Sequence, residues 1–166
     1  MSRKGAVLYN AEGAKAYIEG GLFQNNKVSH DESSSVVFTG EGAAIYNDGD
    51  SYIQVSGGSY LNNEADDFGG AIANYGTMDL TGGDIADNTA GKCGAGIHTS
   101  GNTTFDDGTI CRNTITCSNL YFESADGGGV FVAKGVFTMN GGTICANKVR
   151  SSDNSLEYYA NAGNGG

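Results

Sequence analysis

A repeat with a core of 25 residues constrains this sequence more than any other feature. The stretch GGAIANYGTMDLTGGDIADN, which begins at Gly69, recurs as GAGIHTSGNTTFDDGTICRN from Gly94. The offset of 25 residues holds from Ile72 to Ile97 and from Asn88 to Asn113. A fixed period of this length is typical of repeat architectures, in which each unit buries its apolar face against the next. The chain is therefore expected to fold as a stack of similar units.

Five copies share an opening phrase and a closing asparagine. The openings begin at Gly5, Gly42, Gly69, Gly94 and Gly128. The closing residues are Asn26, Asn63, Asn88, Asn113 and Asn147. Successive openings lie 37, 27, 25 and 34 residues apart, so two of the first four copies carry a long insertion. The final GNGG resembles the start of a sixth copy, and we interpret the sequence as a repeat module of a longer protein.

Composition favours one ordered domain over residues 1–166. Glycine occurs 28 times and proline is absent, but nine Tyr and seven Phe argue against disorder. A net charge of -10 with only nine Lys and Arg argues against nucleic acid or an anionic membrane as partner. The sequence contains no apolar run long enough to span a membrane and no apolar signal segment at its N-terminus. Any export signal or anchor would lie outside this segment.

Alternating apolar and polar residues predict three short strands in the unit at Gly69, over 71–74, 77–81 and 84–87. Three columns of inward-facing residues recur in phase: Leu8, Ile45, Ile72, Ile97 and Phe131; Ile18, Val55, Leu80, Phe105 and Met139; and Phe23, Tyr60, Ile85, Ile110 and Ile144. Three strands per unit, stacked in register, predict an all-β parallel β-helix (solenoid) of about five three-strand rungs. The general bias of parallel crossovers favours a right-handed coil.

The closing asparagines are predicted to form a structural ladder. A column of Asn side chains at a turn can bond along its own amides and to turn backbone, which satisfies buried polar atoms. Asn10, Asn47 and Asn74 predict a shorter column, which continues as Thr99 and Ala133. Neither column is expected to be catalytic.

The paired phrases GGA-[ILV] and F-x-x-N resemble the repeats of the chlamydial polymorphic outer membrane proteins and related adhesin-like β-helix proteins of microbial surfaces. Gly69-Gly70-Ala71-Ile72 and Phe23-Gln24-Asn25-Asn26 match the two phrases, and the other copies are degenerate. The resemblance covers residues 5–147. It implies a right-handed coil and an extracellular, surface-exposed passenger or stalk used in adhesion. The matching residues belong to the scaffold, so the resemblance carries over no catalytic residue.

Insertions after the closing asparagines are the predicted binding edge, since insertions on a solenoid often form its binding face. They span 27–41, 114–126 and 148–161. The last two bring together four aromatic residues, Tyr121, Phe122, Tyr158 and Tyr159. These residues could bind a glycan or a partner protein, or they could instead fold back and cover the flank of the coil.

The four cysteines leave two pairings open. Cys111 and Cys145 share a phase on adjacent units, but lateral parallel neighbours point the same way and their bond would be strained. Cys93 and Cys117 follow the closing asparagine by five and four residues in flexible backbone. We favour Cys93–Cys117 as the bridge in an exported protein, with free thiols as the alternative. The sequence contains no close CxxC pair, so a zinc site is not predicted.

An enzyme of the β-helix class, a polysaccharide lyase or glycosidase, is the alternative function. Its candidate catalytic acids are the outward-facing Asp79, Asp84 and Asp106, which could act as an acid–base pair. No Lys or Arg aligns closely with them, and Arg112 is the nearest in phase. We therefore predict a non-catalytic module with no cofactor, although clustered oxygens at Asp66-Asp67 or Asp106-Asp107 leave calcium open.

Two further features bear on the outer surface. His98 is in phase with Tyr9, Tyr46, Ala73 and Val132, and we expect a packed or solvated surface histidine there, while His30 is expected to be solvated. Open ends of a solenoid expose strand edges, so end-to-end self-association is predicted.

Overall fold

A computed structural model describes residues 3–29, 39–117, 125–151 and 163–164. Over these ranges the protein is all-β and contains no helix. None of the described residues therefore lies in a helix that is long and apolar enough to cross a membrane. Every strand pairing in this part of the chain is parallel.

Three larger sheets each take strands from all five repeats, and the second sheet takes two strands from the first, second and last repeats. The first sheet contains β2 (Leu8–Asn10), β7 (Ile45–Asn47), β11 (Ile72–Asn74), β14 (Ile97–Thr99) and β18 (Val130–Val132). The second contains β3 (Lys15–Ile18), β8 (Tyr52–Val55), β12 (Thr77–Ala86), β15 (Asn102–Cys111) and β19 (Phe137–Met139), with β4 (Leu22–Gln24), β9 (Ser59–Leu61) and β20 (Thr143–Cys145). The third contains β5 (Lys27–Val28), β10 (Glu64–Ala65), β13 (Thr89–Ala90), β16 (Thr114–Cys117) and β21 (Lys148–Ser151). Two short pairs join β1 (Arg3–Lys4) to β6 (Gly40–Glu41) and β17 (Ala125–Asp126) to β22 (Gly163–Asn164).

Each strand of the three larger sheets pairs with the equivalent strand of the neighbouring repeat. Leu80 lies between Val55 and Phe105, and the second predicted column continues to Ile18 and Met139. The third predicted column, from Phe23 to Ile144, is also in register. Both columns are confirmed. Because side chains of paired parallel strands point to the same face at the same register, equal phase in the repeat becomes lateral contact in the sheet.

The first predicted column is wrong at its last member. Val130, not Phe131, pairs with Ile97, and Phe131 pairs with His98. The cause is the glycine triplet 127–129. Gly127 has the φ of +65° that Gly69 and Gly94 have at +64°, so Gly127 and not Gly128 opens the last repeat. A Cβ on Gly127 would lie 2.3 Å from the Val130 carbonyl oxygen, and only glycine fits this bend.

The first, second and last repeats contribute four strands to the larger sheets where three were predicted, and the third and fourth contribute three in a different arrangement. In the third and fourth repeats the second and third predicted strands merge into β12 and β15, which remain paired across a register shift beside Thr81. A further short strand follows each closing asparagine and builds the third sheet, which was not predicted. The first residues of each predicted insertion belong to this sheet, and its buried members include Val28, Ala65, Ala90, Ile115 and Cys117.

The main core lies among the apolar columns of the first two sheets. It consists of Ile18, Ala44, Ile45, Ile53, Val55, Tyr60, Ala71, Ile72, Met78, Leu80, Ile85, Ile97, Phe105 and Ile110. Most of these side chains have no exposed surface, and burial of each large aliphatic side chain is worth about 1.5–3 kcal/mol.

A left-handed residue precedes the closing asparagine in every repeat. Asn25, Asn62, Asp87, Arg112 and Ala146 have φ between 51° and 60°. Asn and Asp tolerate this conformation because their short polar side chains bond locally, whereas alanine and arginine are strained in it. The bend places the next residue, the closing asparagine, in the same position in all five repeats.

Candidate functional site

Aromatic rings line the outer face of the first sheet. The register places Tyr9, Tyr46, Ala73, His98 and Phe131 side by side, and Tyr75 fills the gap over the small Ala73. We call Tyr9, Tyr46, Tyr75, His98 and Phe131 the aromatic column. Successive ring centroids are 5.4, 5.1, 5.6 and 5.6 Å apart. Phe68 packs on His98 from the side at 5.0 Å.

Ring faces within the column are directed at one another. Tyr9 and Tyr46 are nearly parallel at 5°, and Tyr46 and Tyr75 meet at 29°. Tyr46 is only 2% exposed, whereas Tyr9 at the end of the column is 46% exposed. The middle of the column therefore stabilises the sheet by stacking, and Tyr9 at its end is the most exposed ring.

Charged groups surround the column. The Lys4 Nζ lies 4.2 Å from the Tyr46 ring centroid, close enough for a cation–π contact. The Tyr75 hydroxyl donates to Glu41 at 2.6 Å, and the Tyr9 hydroxyl donates to Asp48. Glu41 is 6% exposed, so this hydrogen bond satisfies a carboxylate that is almost out of water.

Burial and these hydrogen bonds favour the neutral forms of the tyrosines and of His98 in the column. Burial raises the pKa of Tyr46, and burial together with the hydrogen bond to Glu41 raises the pKa of Tyr75. The hydrogen bond to Asp48 raises the pKa of Tyr9. Burial lowers the pKa of His98 and outweighs the opposite effect of Glu41, so the neutral imidazole is favoured.

His98 is a packed histidine, one of the two states expected for it, and it is 5% exposed. Its Nδ1 atom is buried without a hydrogen-bond partner in the described part of the chain. Its neighbours are the rings of Phe68, Tyr75 and Phe131. These contacts make His98 a packed member of the aromatic column.

The closing asparagines lie in one continuous column. The Nδ2 atoms of Asn63, Asn88 and Asn113 each donate to the Oδ1 of the next asparagine at 2.9–3.0 Å, and Asn26 does so at 2.8 Å. The backbone N–H of each of these four residues donates to the same Oδ1. Asn63, Asn88 and Asn113 are at most 1% exposed, so these bonds satisfy buried amides.

The shorter asparagine column runs from Asn10 through Asn47 to Asn74, with amide contacts of 2.7 Å. Asn74 then donates to the hydroxyl of Thr99 at 3.1 Å. Val132, not the expected Ala133, follows Thr99, which is the same one-residue slip as at Phe131.

The three candidate acids are hydrogen-bonded to side chains of neighbouring repeats. Asp79 accepts from the Tyr52 hydroxyl at 2.8 Å, which raises the pKa of Tyr52 to about 12. Asp84 accepts from the Thr109 hydroxyl, and Asp106 accepts from Asn140 at 2.8 Å. Arg112, the nearest base, pairs instead with Asp87 at 2.8 Å. The arrangement uses these carboxylates as cross-strand links.

The oxygens considered for calcium have other partners. Asp67 is 2% exposed, pairs with Lys92 at 2.9 Å and accepts the backbone N–H of Gly40 at 2.8 Å. Asp107 accepts its own neighbour's N–H, that of Gly108, at 2.7 Å. Among the described residues no group of three or more His, Cys, Asp or Glu side chains could hold a metal ion.

The cysteine prediction is wrong. Cys111 and Cys145 form the disulfide, with their Cα atoms 4.6 Å apart on the paired strands β15 and β20. Cys93 and Cys117 are both buried and are not lateral neighbours. Cys93 bridges to Phe68 and Asp126, whereas Cys117 pairs with Ser151 in another sheet. The equal register of Cys111 and Cys145 decides the pairing, and the expected strain does not prevent it.

The predicted insertion platform lies outside the described residues. Tyr121 and Phe122 fall in 118–124, and Tyr158 and Tyr159 fall in 152–162; His30 also lies outside. The aromatic column, by contrast, was missed as a unit. Its signal was present in the shared phase of Tyr9, Tyr46 and His98, but Tyr75 and Phe68 join it from other phases, which only the structure reveals.

No protein-family model matches this chain, and no curated protein or solved structure matches it. The function must therefore be argued from the repeats, the aromatic column and the hydrogen-bonded acids described above.

Proposed function

We propose that this chain is a non-catalytic, surface-exposed repeat module, built as a right-handed parallel β-helix of about five turns. It acts as an adhesin-type binder or as a stalk spacer, as its resemblance to the chlamydial polymorphic outer membrane protein repeats implies. One observation carries the proposal: equivalent residues of successive repeats are register neighbours in three parallel sheets. A chain built in this way extends by adding repeats.

The order in which each repeat enters the sheets supports the proposed β-helix. Every repeat visits the first, second and third sheet in turn and then returns to the first, one strand further along. The apolar columns of the first two sheets share one core. A right-handed path is the usual solution for parallel strands joined by crossovers.

The hydrogen bonds of the three candidate catalytic aspartates support a non-catalytic role. A glycosidase or lyase needs carboxylates that are free to exchange protons with a sugar. Asp79, Asp84 and Asp106 are each bonded to a side chain of an adjacent repeat. Their partners belong to the same outer surface, which supports a structural role for all three.

The disulfide between Cys111 and Cys145 supports an extracellular location, because disulfides persist in oxidising compartments. Binding is assigned to the insertions that follow the closing asparagines. Their aromatic residues Tyr121, Phe122, Tyr158 and Tyr159 would contact a glycan or a protein partner.

A glycan and host-protein array tests the proposal. The wild-type chain is expected to bind at least one class of ligand, and Tyr158→Ala or Phe122→Ala should weaken that signal without lowering the melting temperature. Tyr17→Ala is the matched control, since Tyr17 is an outer-face tyrosine that is 62% exposed. Release of reducing ends or unsaturated sugars from polyanionic glycans, abolished by Asp79→Asn or Asp106→Asn, would replace the proposal with the enzyme alternative.

A further inference from the structure

The ladder of closing asparagines has a direction. Each asparagine donates its backbone N–H and one Nδ2–H towards the Oδ1 of the following repeat. The second Nδ2–H points back to a carbonyl of the preceding repeat, three residues before that repeat's own asparagine. Asn88, for example, donates to Tyr60 at 2.8 Å, and Asn113 donates to Ile85 at 3.0 Å. Three hydrogen bonds thus cross every junction between repeats.

The two ends of the ladder are complementary. Asn147 donates one Nδ2–H to the Ile110 carbonyl and accepts from Asn113. Its backbone N–H and second Nδ2–H have no hydrogen-bond partner within the described residues. Asn26 uses its donors towards Asn63, and its own Oδ1 accepts nothing in that part of the chain. One end offers two donors, and the other offers the matching acceptor.

The apolar columns are open at the same two ends. In the last repeat Met139 is 47% exposed and Ile144 is 39% exposed, although both continue columns that are fully buried one repeat earlier. In the first repeat Leu8 and Phe23 are half-buried. Nothing in the described part of the chain pairs with the outer edges of β18, β19 and β20, or with those of β2, β3 and β4.

We propose that a second copy of this chain stacks on these edges head to tail, so that its β2, β3 and β4 pair in parallel with β18, β19 and β20. Continuing the observed register places Val130 against Leu8, Phe137 against Ala16 and Ile144 against Phe23 of the second copy. The bulky Phe137 meets a small residue, so the columns continue without overpacking. Phe131 would stack on Tyr9 and extend the aromatic column.

The asparagine ladder selects this orientation. Asn147 of one copy would donate two hydrogen bonds to the Oδ1 of Asn26 in the next, and Asn26 would donate back to the Ile144 carbonyl. Two C-terminal edges brought together would oppose donors with donors, and two N-terminal edges would oppose acceptors. A head-to-tail contact of this kind does not close on itself, so it generates linear oligomers of increasing length.

Two features oppose the stack, and the second makes it depend on the salt concentration. Strand β22 pairs with β17 in the place that β1 of the second copy would take. Strands β22 and β1 have two residues each, so replacing β22 by β1 of the second copy keeps the number of paired residues. Lys148 would also lie beside Lys27 of the second copy. Lys27 is already paired with Glu64 at 2.7 Å, and salt screens the remaining repulsion. Association should therefore strengthen with ionic strength.

Sedimentation and light scattering over a range of concentrations test the proposal, with one variant for each edge. Ile144→Lys blocks the C-terminal edge and Phe23→Lys blocks the N-terminal edge. The wild-type weight-average mass is expected to rise with concentration, and each variant alone should stay at the monomer mass of 17.0 kDa. An equimolar mixture should form a dimer and nothing larger, because the one intact edge of each variant complements the other.

Thr77→Lys is the control: Thr77 is an exposed residue of β12 in the middle of the second sheet, so this variant leaves both edges intact and should associate like the wild type. Melting curves check the fold, and Met139→Lys with Leu8→Lys replaces any variant that melts early. A wild type that remains monomeric, a single variant that still dimerises, or a mixture of folded variants that stays monomeric would each overturn head-to-tail stacking. These outcomes are independent of the array experiment, which concerns a foreign ligand.

Discussion

The middle repeats, residues 42–113, and the last repeat, residues 127–147, place apolar residues at equivalent positions but differ in burial. Ile85 and Ile110 have no exposed surface, whereas Ile144 in the same column is 39% exposed. Phe105 is fully buried and Met139, directly beside it, is 47% exposed. The residue type does not decide burial here. What decides it is whether a repeat has a neighbour on both sides, as expected when each unit contacts only the adjacent ones.

The largest expected difference between these regions is the loss in the free energy of unfolding when a residue of an apolar column is truncated. Ile85→Ala should lower the free energy of unfolding by about 2–5 kcal/mol, because the core collapses only partly around the cavity. Ile144→Ala removes the same atoms at the edge and should cost about 1 kcal/mol or less, since that side chain is partly in water already. Urea unfolding of both variants measures the difference. Equal losses at the two positions would contradict the comparison.

The asparagine ladder should follow the same rule with a smaller effect. Asn88→Ala leaves the Tyr60 carbonyl and the donors of Asn63 unpaired in the interior, at a cost of about 1–3 kcal/mol. Asn26→Ala breaks only the bond from its Nδ2 to Asn63 at the edge, for about 1 kcal/mol, and keeps the backbone N–H bond. Denaturant midpoints of the two variants compare them directly. A cost at Asn26 as large as that at Asn88 would show that position in the ladder is irrelevant.

A pH effect should come from His98 in the fourth repeat. Burial lowers its folded-state pKa below the ordinary 6.5, so the unfolded chain binds the proton more readily. The stability is complete above pH 6.5 and is lost as the pH falls from there towards the folded pKa, by at most about 1.4 kcal/mol per pH unit. Glu41 opposes this loss, because its charge favours the protonated imidazole.

Unfolding curves at several pH values between 7 and 5, compared among wild type, His98→Phe and His30→Gln, measure this effect. His98→Phe should remove the slope and keep the ring contacts, whereas His30→Gln should keep the slope. A slope that survives in His98→Phe would assign the pH dependence to other groups.

The smallest expected change is a gain at the edge. Ala146 has a φ of 51°, where a Cβ is strained, so Ala146→Gly should raise the free energy of unfolding by about 0.5–1 kcal/mol. Ala133→Gly, at a bend without a left-handed φ, should lower it by a similar amount. Melting temperatures of the two variants should show the gain for Ala146→Gly and the loss for Ala133→Gly. A loss of stability in Ala146→Gly would indicate that the left-handed bend carries little strain.

The repeat period made two apolar columns and the parallel all-β architecture predictable, because equal phase forces equal face in every copy. The glycine triplet 127–129 made the first predicted column wrong at its last member, since its letters fit the opening phrase in two frames. Only the φ of Gly127 separates these frames. The cysteine prediction was wrong for another reason: Cys111 and Cys145 are register neighbours, whereas Cys93 and Cys117 are not.

The candidate site was the least predictable part. Tyr9, Tyr46 and His98 share a phase, yet the aromatic column also needs Tyr75 and Phe68, which reach it from neighbouring turns and not from the same strand position. The acids were found from the sequence, but their bonds to Tyr52, Thr109 and Asn140 depend on which outer side chains face each other across repeats.

By itself the sequence determined the number of repeats, the inward residues of the second sheet and the phase of the asparagines, because these depend only on period and alternation along the chain. The tertiary structure decided the frame of the last repeat, the Cys111–Cys145 bond, the third sheet and the burial of each column member. These depend on lateral neighbours 25 or more residues away, and on whether such a neighbour exists on both sides.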